Sequence, residues 1–382
     1  GGGGIRARLI YADTERDPDA LYALGAFVPD PIALVDAGGG WVAFASDLEL
    51  ARLAKQAKCR VIAERDWRAK AESFGFPKSE PLAPAAAWLK AQKVQEVEVP
   101  ESFPLAQAEK LRAWGFAVQA KAGAFFPERR CKSAKEIAEI RAAARICVRA
   151  MRHVRARLAE AEIDARGRLR FEGKLWRAED LRFEIEALCL RDGAHAMHTI
   201  VACGARAADP HDEGGGVLRA HAPIVVDIFP RLARSGYWGD MTRTFCVGDP
   251  PPELVRMHRA VRAAQVMALG MVRAGADGAA IHRAVADYFA QQGFPTEVRR
   301  GKPQGFIHGT GHGVGLEIHE APRISARGDV LRAGDVVTVE PGLYYAGKGG
   351  VRIEDLVWVR EDGCEVLTKF SKNLIVRPRR GS

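Results

Sequence analysis

Residues 305–320 read Gly-Phe-Ile-His-Gly-Thr-Gly-His-Gly-Val-Gly-Leu-Glu-Ile-His-Glu and hold His308, His312 and His319, three of the chain's ten histidines. Imidazoles spaced four and seven residues apart, among small residues, can converge on one ligand or one ion. Gly309, Gly311, Gly313 and Gly315 fall on alternate positions. Glycine at that density weakens a strand and gives up packing, so another group is expected to approach the backbone closely. Taken alone, the stretch also reads as a glycine-rich loop with solvated histidines.

Four carboxylates change that balance. Asp227 ends the apolar run Val225-Val226-Asp227-Ile228-Phe229, where a lone acid is expensive unless paired or metal-bound. Asp240 opens a strand continuing through Met241-Thr242-Arg243-Thr244. Glu340 ends Val336-Val337-Thr338-Val339, with Pro341-Gly342 turning the chain behind it. Glu354 follows Gly350-Val351-Arg352-Ile353 and is expected on the face of Arg352, two residues before it. Singly, each acid reads as a strand end or half of an ion pair. Together with His312 they form a hard, oxygen-rich donor set, enough for two divalent cations with bridging acids.

The elements that must position these groups fall into two domains. Arg6–Tyr11, Ile32–Asp36, Trp41–Ala45, Arg60–Ala63, Val94–Val99 and Phe116–Ala120 read as strands. Asp19–Ala26, Leu48–Ala57, Pro84–Lys93 and Leu105–Trp114 read as helices between them, giving an α/β domain over residues 1–127. After the break at Phe126-Pro127-Glu128, Ser133 and Glu136 have capping-box spacing. Ile137, Ile140, Ala144, Cys147, Met151, Val154 and Leu158 then mark one long amphipathic helix. Further helices are expected at Ala178–Leu190, Pro252–Val272 and Gly278–Gln292, with strands at Thr199–Cys203, Pro223–Phe229, Met241–Val247, Val336–Val339 and Gly350–Val359. Helix, helix and strands thus succeed one another twice within residues 128–382.

Composition narrows the class. The chain has 382 residues, 47% of them hydrophobic, enough for one large or two ordinary domains. No apolar run reaches the roughly 18 residues of a membrane span. No basic segment leads into an apolar one at the N-terminus, so no signal peptide is expected. Gly1–Gly4 and Gly381–Ser382 read as cloning remnants. Seven cysteines, without Cys-x-x-Cys spacing, suggest reduced thiols in a cytoplasmic protein. The net charge of +9 comes from arginines spread along the chain, without a basic block or nucleic-acid motif. An arginine-rich solvated surface is therefore expected, with no nucleic-acid or membrane partner.

At this point the residues resemble a known family. Asp227, Asp240 with its Thr-Arg-Thr tail, His308-Gly-x-Gly-His312-x-x-Gly, Val-Glu340-Pro-Gly and Gly-Val-Arg352-Ile-Glu354-Asp look like the five-ligand signature of the pita-bread metallopeptidases. That family includes methionine aminopeptidase, aminopeptidase P, prolidase and creatinase. The resemblance covers about residues 130–375. The preceding α/β domain is similar in size and place to the creatinase-type N-terminal domain of aminopeptidase P and prolidase, which methionine aminopeptidase lacks.

The resemblance implies a dinuclear site of Asp227, Asp240, His312, Glu340 and Glu354, with Asp240 and Glu354 bridging and Mn²⁺ preferred over Co²⁺ or Zn²⁺. It implies hydrolysis of Xaa-Pro bonds in dipeptides or short peptides by a metal-bridging hydroxide, with Glu340 accepting its proton. His211 and His319 would face the substrate, His308 would line a proline pocket, and Arg352 would orient Asp227. A homodimer is implied as well. A dipeptidase also needs a group for the substrate carboxylate; Arg323 is the first candidate and Arg327 the second. Asp227 and Asp240 are 13 apart, two more than the family's usual spacing, and Glu340 and Glu354 only 14. Both departures are expected in loops. Alternatives are an aminopeptidase P on longer peptides, a creatinase-like amidinohydrolase and a non-catalytic binding protein. The last two are expected to lack ligands that this chain retains.

Overall fold

A computed structural model of the protein describes residues 5–378; the terminal glycines and Gly381–Ser382 lie outside the described residues. The chain divides into two compact units between Arg129 and Arg130. In the first, the strands lie in the order Arg60–Ala63, Trp41–Ala45, Ile32–Asp36, Ile5–Ala12, Val94–Val99, Ala117–Ala120. Only Ile32–Asp36 runs antiparallel to its neighbours. Side chains alternate across this sheet: Leu9, Val35 and Val97 enter one core, Ile10, Leu34 and Ala43 the other. Helix Pro18–Leu24 starts where the Asp17 carboxylate accepts from the Ala20 amide and ends at Gly25 in the left-handed region. Helix Glu64–Ala71 was not expected from the sequence. It buries only Ala71, so it has no apolar stripe to read; acids in its first turn and bases in its last are its signal.

The second unit opens with the capping box. Ser133 accepts from the Glu136 amide, the Glu136 carboxylate accepts from the Ser133 amide, and the helix runs Ala134–Glu160. Its buried stripe packs with Ala178–Arg191 over an antiparallel sheet of Ile200–Cys203, Ile224–Ile228 and Met241–Val247. A second core joins Pro252–Met271 and Gly278–Gln291 to the sheet holding Gly311–Gly313, Val336–Val339 and Asp355–Val359. The twofold succession seen in the sequence is thus two helix-backed half-sheets. They meet at one backbone bridge: the Glu354 amide donates to Thr242 O at 3.0 Å, and the Thr242 amide to Glu354 O at 3.3 Å.

The expected continuous strand Gly350–Val359 is broken. Gly349–Arg352 pairs back on Gly342–Tyr345, while Asp355–Val359 pairs with Val336–Val339. Ile353 and Glu354 span the gap, because Thr242 on the other half-sheet takes the Glu354 backbone. The two extra residues between Asp227 and Asp240 lie in a loop containing Arg231–Leu232, which pairs with Ala194–His195 and leaves the main hairpin register intact. No described helix is long and apolar enough to cross a membrane. All seven cysteines are free.

Behind the seam lies Arg243, almost fully buried. Its guanidinium donates to Asp355 Oδ1 at 2.8 Å and to the Glu354 and Phe370 carbonyls. Removing it leaves the Asp355 charge buried beside only Gln265, Thr368 and the more distant Lys372. Arg243→Met is expected to cost about 3–5 kcal/mol of unfolding free energy in urea. A loss below about 1 kcal/mol would show that the pair does not hold the seam.

Candidate active site

The seam brings the predicted acids together. Asp227 faces Thr242 in the Ile224–Ile228/Met241–Val247 register, and Glu354 Oε1 accepts from Thr242 Oγ1 at 2.8 Å. One hydroxyl-bearing position thus touches both half-sheets. Asp240, His312 and Glu354 each offer a donor atom, all within 4.8 Å of one another. His312 Nε2 lies 3.5 Å from Asp240 Oδ2 and 3.6 Å from Glu340 Oε1. His312 Nδ1 is 2.9 Å from the Gly313 carbonyl. A carbonyl only accepts, so Nδ1 carries the proton and Nε2 turns a lone pair to the acids.

The donor set fits divalent cations. Asp227 Oδ1 and Glu354 Oε2 are buried without a hydrogen-bond partner, although buried carboxylate oxygens ordinarily have one. Burial raises the Asp240 and Glu354 carboxyls well above their usual range, and neighbouring acids raise them further. Glu340 is pushed up to about 8, again first by burial. Such a cluster repels itself unless protons or metal ions enter it.

The glycines do what close approach requires. A Cβ on Gly311 would stand 1.9 Å from Thr338 O, and one on Gly313 would stand 2.2 Å from Ala321 O. The strand carrying His312 therefore lies against its neighbours without side-chain spacers. Lys132 and Glu320, both nearly buried, form an ion pair beside Gly315 that pins the turn leading to His319.

A cavity of about 270 Å³ opens onto these groups, lined by Asp227, Asp240, His308, His312, Glu340 and Arg352 among others. His211 and His319 also line it. His319 packs edge-on against His312, with ring centres 4.3 Å apart. The His319 residue is exposed at the cavity mouth, but partial desolvation of its ring, then the charges of His312 and His211, push the imidazole down to about 4, so it is a neutral donor at physiological pH. His308 is also pushed down to about 4, first by burial. Its Nδ1 donates to Gly309 O at 2.7 Å, and its Nε2 sits 2.8 Å from Tyr344 Oη. Arg352 Nη1 donates to the same Tyr344 oxygen at 2.8 Å, and its Nη2 to Asp227 Oδ2 at 2.9 Å. A chain of hydrogen bonds thus runs His308–Tyr344–Arg352–Asp227. Both His308 nitrogens are engaged, leaving it a wall of the cavity.

Tyr344 was missed in the sequence; its only signal is the Leu-Tyr-Tyr that follows Pro341-Gly342. Arg323 is not brought to the cavity. In the strand Glu320–Ile324, Pro322 and Ile324 are buried while Arg323 is exposed, and Arg323 is absent from the lining. Its amide is taken by Asp329 Oδ2 at 2.7 Å. Arg327 is exposed too. Strand alternation turns Arg323 outward, away from the cavity lining.

Two outcomes test this geometry. Gly311→Ala is expected to cost roughly 10–100-fold in metal affinity by titration calorimetry, the range seen when the support of metal ligands is lost. Gly309→Ala, whose Cβ would meet Ser325 at 3.2 Å, should cost much less; equal effects would contradict the close packing at Gly311. The second outcome concerns pH. Glu340 is raised from 4.5 to about 8, so the folded, chelated protein binds more protons than the unfolded chain between these values. Below about pH 6.5 the histidines pushed down to about 4, His308 and His319, act in the opposite sense, so the carboxyl effect stands alone higher up, and stability should fall as pH rises from about 7 to about 8. Divalent cations should restore the melting temperature at the alkaline end. A chelated protein equally stable at pH 7 and pH 8 would contradict the raised carboxyls.

Comparison with known proteins places the chain in a family. The model of metallopeptidase family M24 matches residues 138–361. The chain is 32% identical over 248 residues to the uncharacterized peptidase YqhT of Bacillus subtilis, covering 64% of each. It is 36% identical over 207 residues to a Xaa-Pro dipeptidase of Pyrococcus furiosus, covering 53% of this chain and 56% of that one. The aligned stretches thus span between about half and two thirds of these curated relatives. Among solved structures, the prolidase from Pyrococcus horikoshii superposes with a TM-score of 0.78 at 25% identity, over 97% of this chain and 96% of that one. The fold is the expected one, an α/β N-terminal domain followed by an α+β pita-bread domain. The chain belongs to metallopeptidase family M24.

Proposed function

We propose that this protein is a dinuclear metal-dependent peptidase that hydrolyses the bond between an N-terminal residue and a following proline. The catalytic domain would span residues 128–382, preceded by a creatinase-type domain over residues 1–127. The observation that carries the reading is the cluster of Asp240, His312 and Glu354, with Asp227 and Glu340 lining the cavity beside it and the Asp227 Oδ1 and Glu354 Oε2 oxygens buried without partners. The naming of the Pyrococcus furiosus relative as a Xaa-Pro dipeptidase supports the choice of substrate.

Asp227, Asp240, His312, Glu340 and Glu354 would hold the cations, with Asp240 and Glu354, placed at the centre of the cluster, proposed to serve both. Bound cations supply Lewis acidity, making a water acidic enough to attack near neutral pH. Arg352 holds Asp227 Oδ2 and leaves Oδ1 free to ligate. The Glu340 carboxylate takes the proton of the attacking water and delivers it to the proline nitrogen, which must be protonated to leave. Neutral His319, with His211, donates to the oxygen of the scissile carbonyl as charge develops there. His308, beside Phe306 at 5.5 Å between ring centres, walls the space for the proline ring.

A second reading concerns substrate length. Among the described residues, the cavity lining contains one arginine, Arg352, already engaged by Asp227 and Tyr344. Without a clamp for a carboxylate next to proline, peptides longer than two residues are favoured, as for an aminopeptidase P.

Metal-stripped protein, repleted ion by ion and assayed on Ala-Pro and Ala-Pro-Ala, tests both readings. Mn²⁺ or Co²⁺ should restore activity better than Zn²⁺; full activity in protein shown by elemental analysis to be metal-free would sink the proposal. A higher kcat/KM on Ala-Pro-Ala decides for longer peptides, the reverse for dipeptides. Asp240→Ala or Glu354→Ala should lose two-ion binding. His319→Ala should keep its metal and lose turnover by roughly 10²–10³-fold. If His319→Ala empties the site, its assigned role is wrong.

A further inference from the structure

The cavity lining contains one carboxylate outside the proposed ligand set, Glu213, beside His198, Ile200, Pro210 and His211. Glu213 Oε1 lies 2.6 Å from His198 Nδ1, and both side chains remain substantially open to solvent, at 45% and 70%. The backbone beneath them is fixed. Arg182, reaching from the helix Ala178–Arg191, donates through Nε to Thr199 O and through Nη2 to Gly214 O, each at 2.9 Å, and also to Glu213 O. The Val201 amide donates to Glu213 O at 3.0 Å. A Cβ on Gly214 would stand 1.6 Å from Val201 O, so the two segments are in direct backbone contact. His198 itself is held at a φ of +57°, a left-handed conformation that a residue with a Cβ adopts at a cost.

We propose that Glu213 is a specificity determinant: it selects substrates whose N-terminal residue, the one ahead of proline, carries a cationic side chain. The inference rests on the Xaa-Pro reading. The proline ring has no charge to offer, so a cation directed at Glu213 comes from the residue before it. A lysine or arginine lays its aliphatic stem along Ile200 and Pro210 and brings its head to the carboxylate. His198 is the resident partner that the incoming cation displaces. The pair is half open to water, so the discrimination is modest, roughly two- to fivefold.

The test uses the full-length, Mn²⁺-loaded protein on Lys-Pro, norleucyl-Pro and Ala-Pro, norleucine being the uncharged match for the lysine chain. The wild type should prefer Lys-Pro over norleucyl-Pro by that factor, mainly in KM. Glu213→Gln should bring the ratio close to one, and Glu213→Lys should invert it and favour Glu-Pro over Gln-Pro. His198→Ala should raise the preference for Lys-Pro. Equal losses on all three substrates in Glu213→Gln would place the carboxylate against the α-ammonium group and overturn the proposal. Cleavage of all three with a ratio unmoved by either Glu213 variant overturns it alone. Failure to cut any of them, or the corresponding Xaa-Pro-Ala tripeptides, overturns the peptidase reading, and this inference with it.

Discussion

Four carboxylates within one buried pocket repel each other and resist leaving water, and the second unit is organised around holding them there. Burial and mutual repulsion act in the same direction on Asp240, Glu340 and Glu354. Without positive charge the pocket fills with protons; with divalent cations the same crowding becomes a closely matched set of oxygen donors. The surrounding hydrogen bonds oppose rearrangement. Thr242 touches both half-sheets, Arg352 fixes one oxygen of Asp227, and Arg243 ties the Glu354 carbonyl to Asp355. Each spares the inward oxygens while restraining the rest of the residue.

The histidines follow a complementary rule. Buried imidazoles lose their charge, so they enter this cavity as neutral donors or neutral ligands. For His312 the Gly313 carbonyl selects the tautomer that leaves Nε2 free. For His308 the neighbours consume both nitrogens. Two histidines four residues apart therefore have different capacities, decided by local backbone and by Tyr344 rather than by residue type.

Much of this was legible in the sequence. The strands Ile32–Asp36, Trp41–Ala45, Val94–Val99 and Met241–Val247 follow from apolar runs bounded by turn residues. The acids stood out because each lies within or at one end of a strand-like run, and the alternate glycines announced close backbone contact. What stayed hidden depends on contacts between distant segments. Helix Glu64–Ala71 has almost no buried face. Tyr344 matters only because the hairpin Gly342–Arg352 sets it between His308 and Arg352. Glu213 carries no sequence signal of its own; folding places it on the cavity wall. Arg323 misled for the opposite reason: nearness in sequence to His319 says nothing about which face of a strand a side chain takes.

The seam between the half-sheets has a bearing on how the protein is made. Thr242 and Glu354 are 112 positions apart, and each half has its own hydrophobic core. On the ribosome, Asp227 and Asp240 emerge well before His312, Glu340 and Glu354. The early half can pack while it offers an ion only two of the five donors, too few to hold a divalent cation tightly. Tight binding must await the last third of the chain. The proposed donor set would thus be closed to whatever metal the nascent chain meets first, and its first tight occupant would be drawn from the ions around the folded chain.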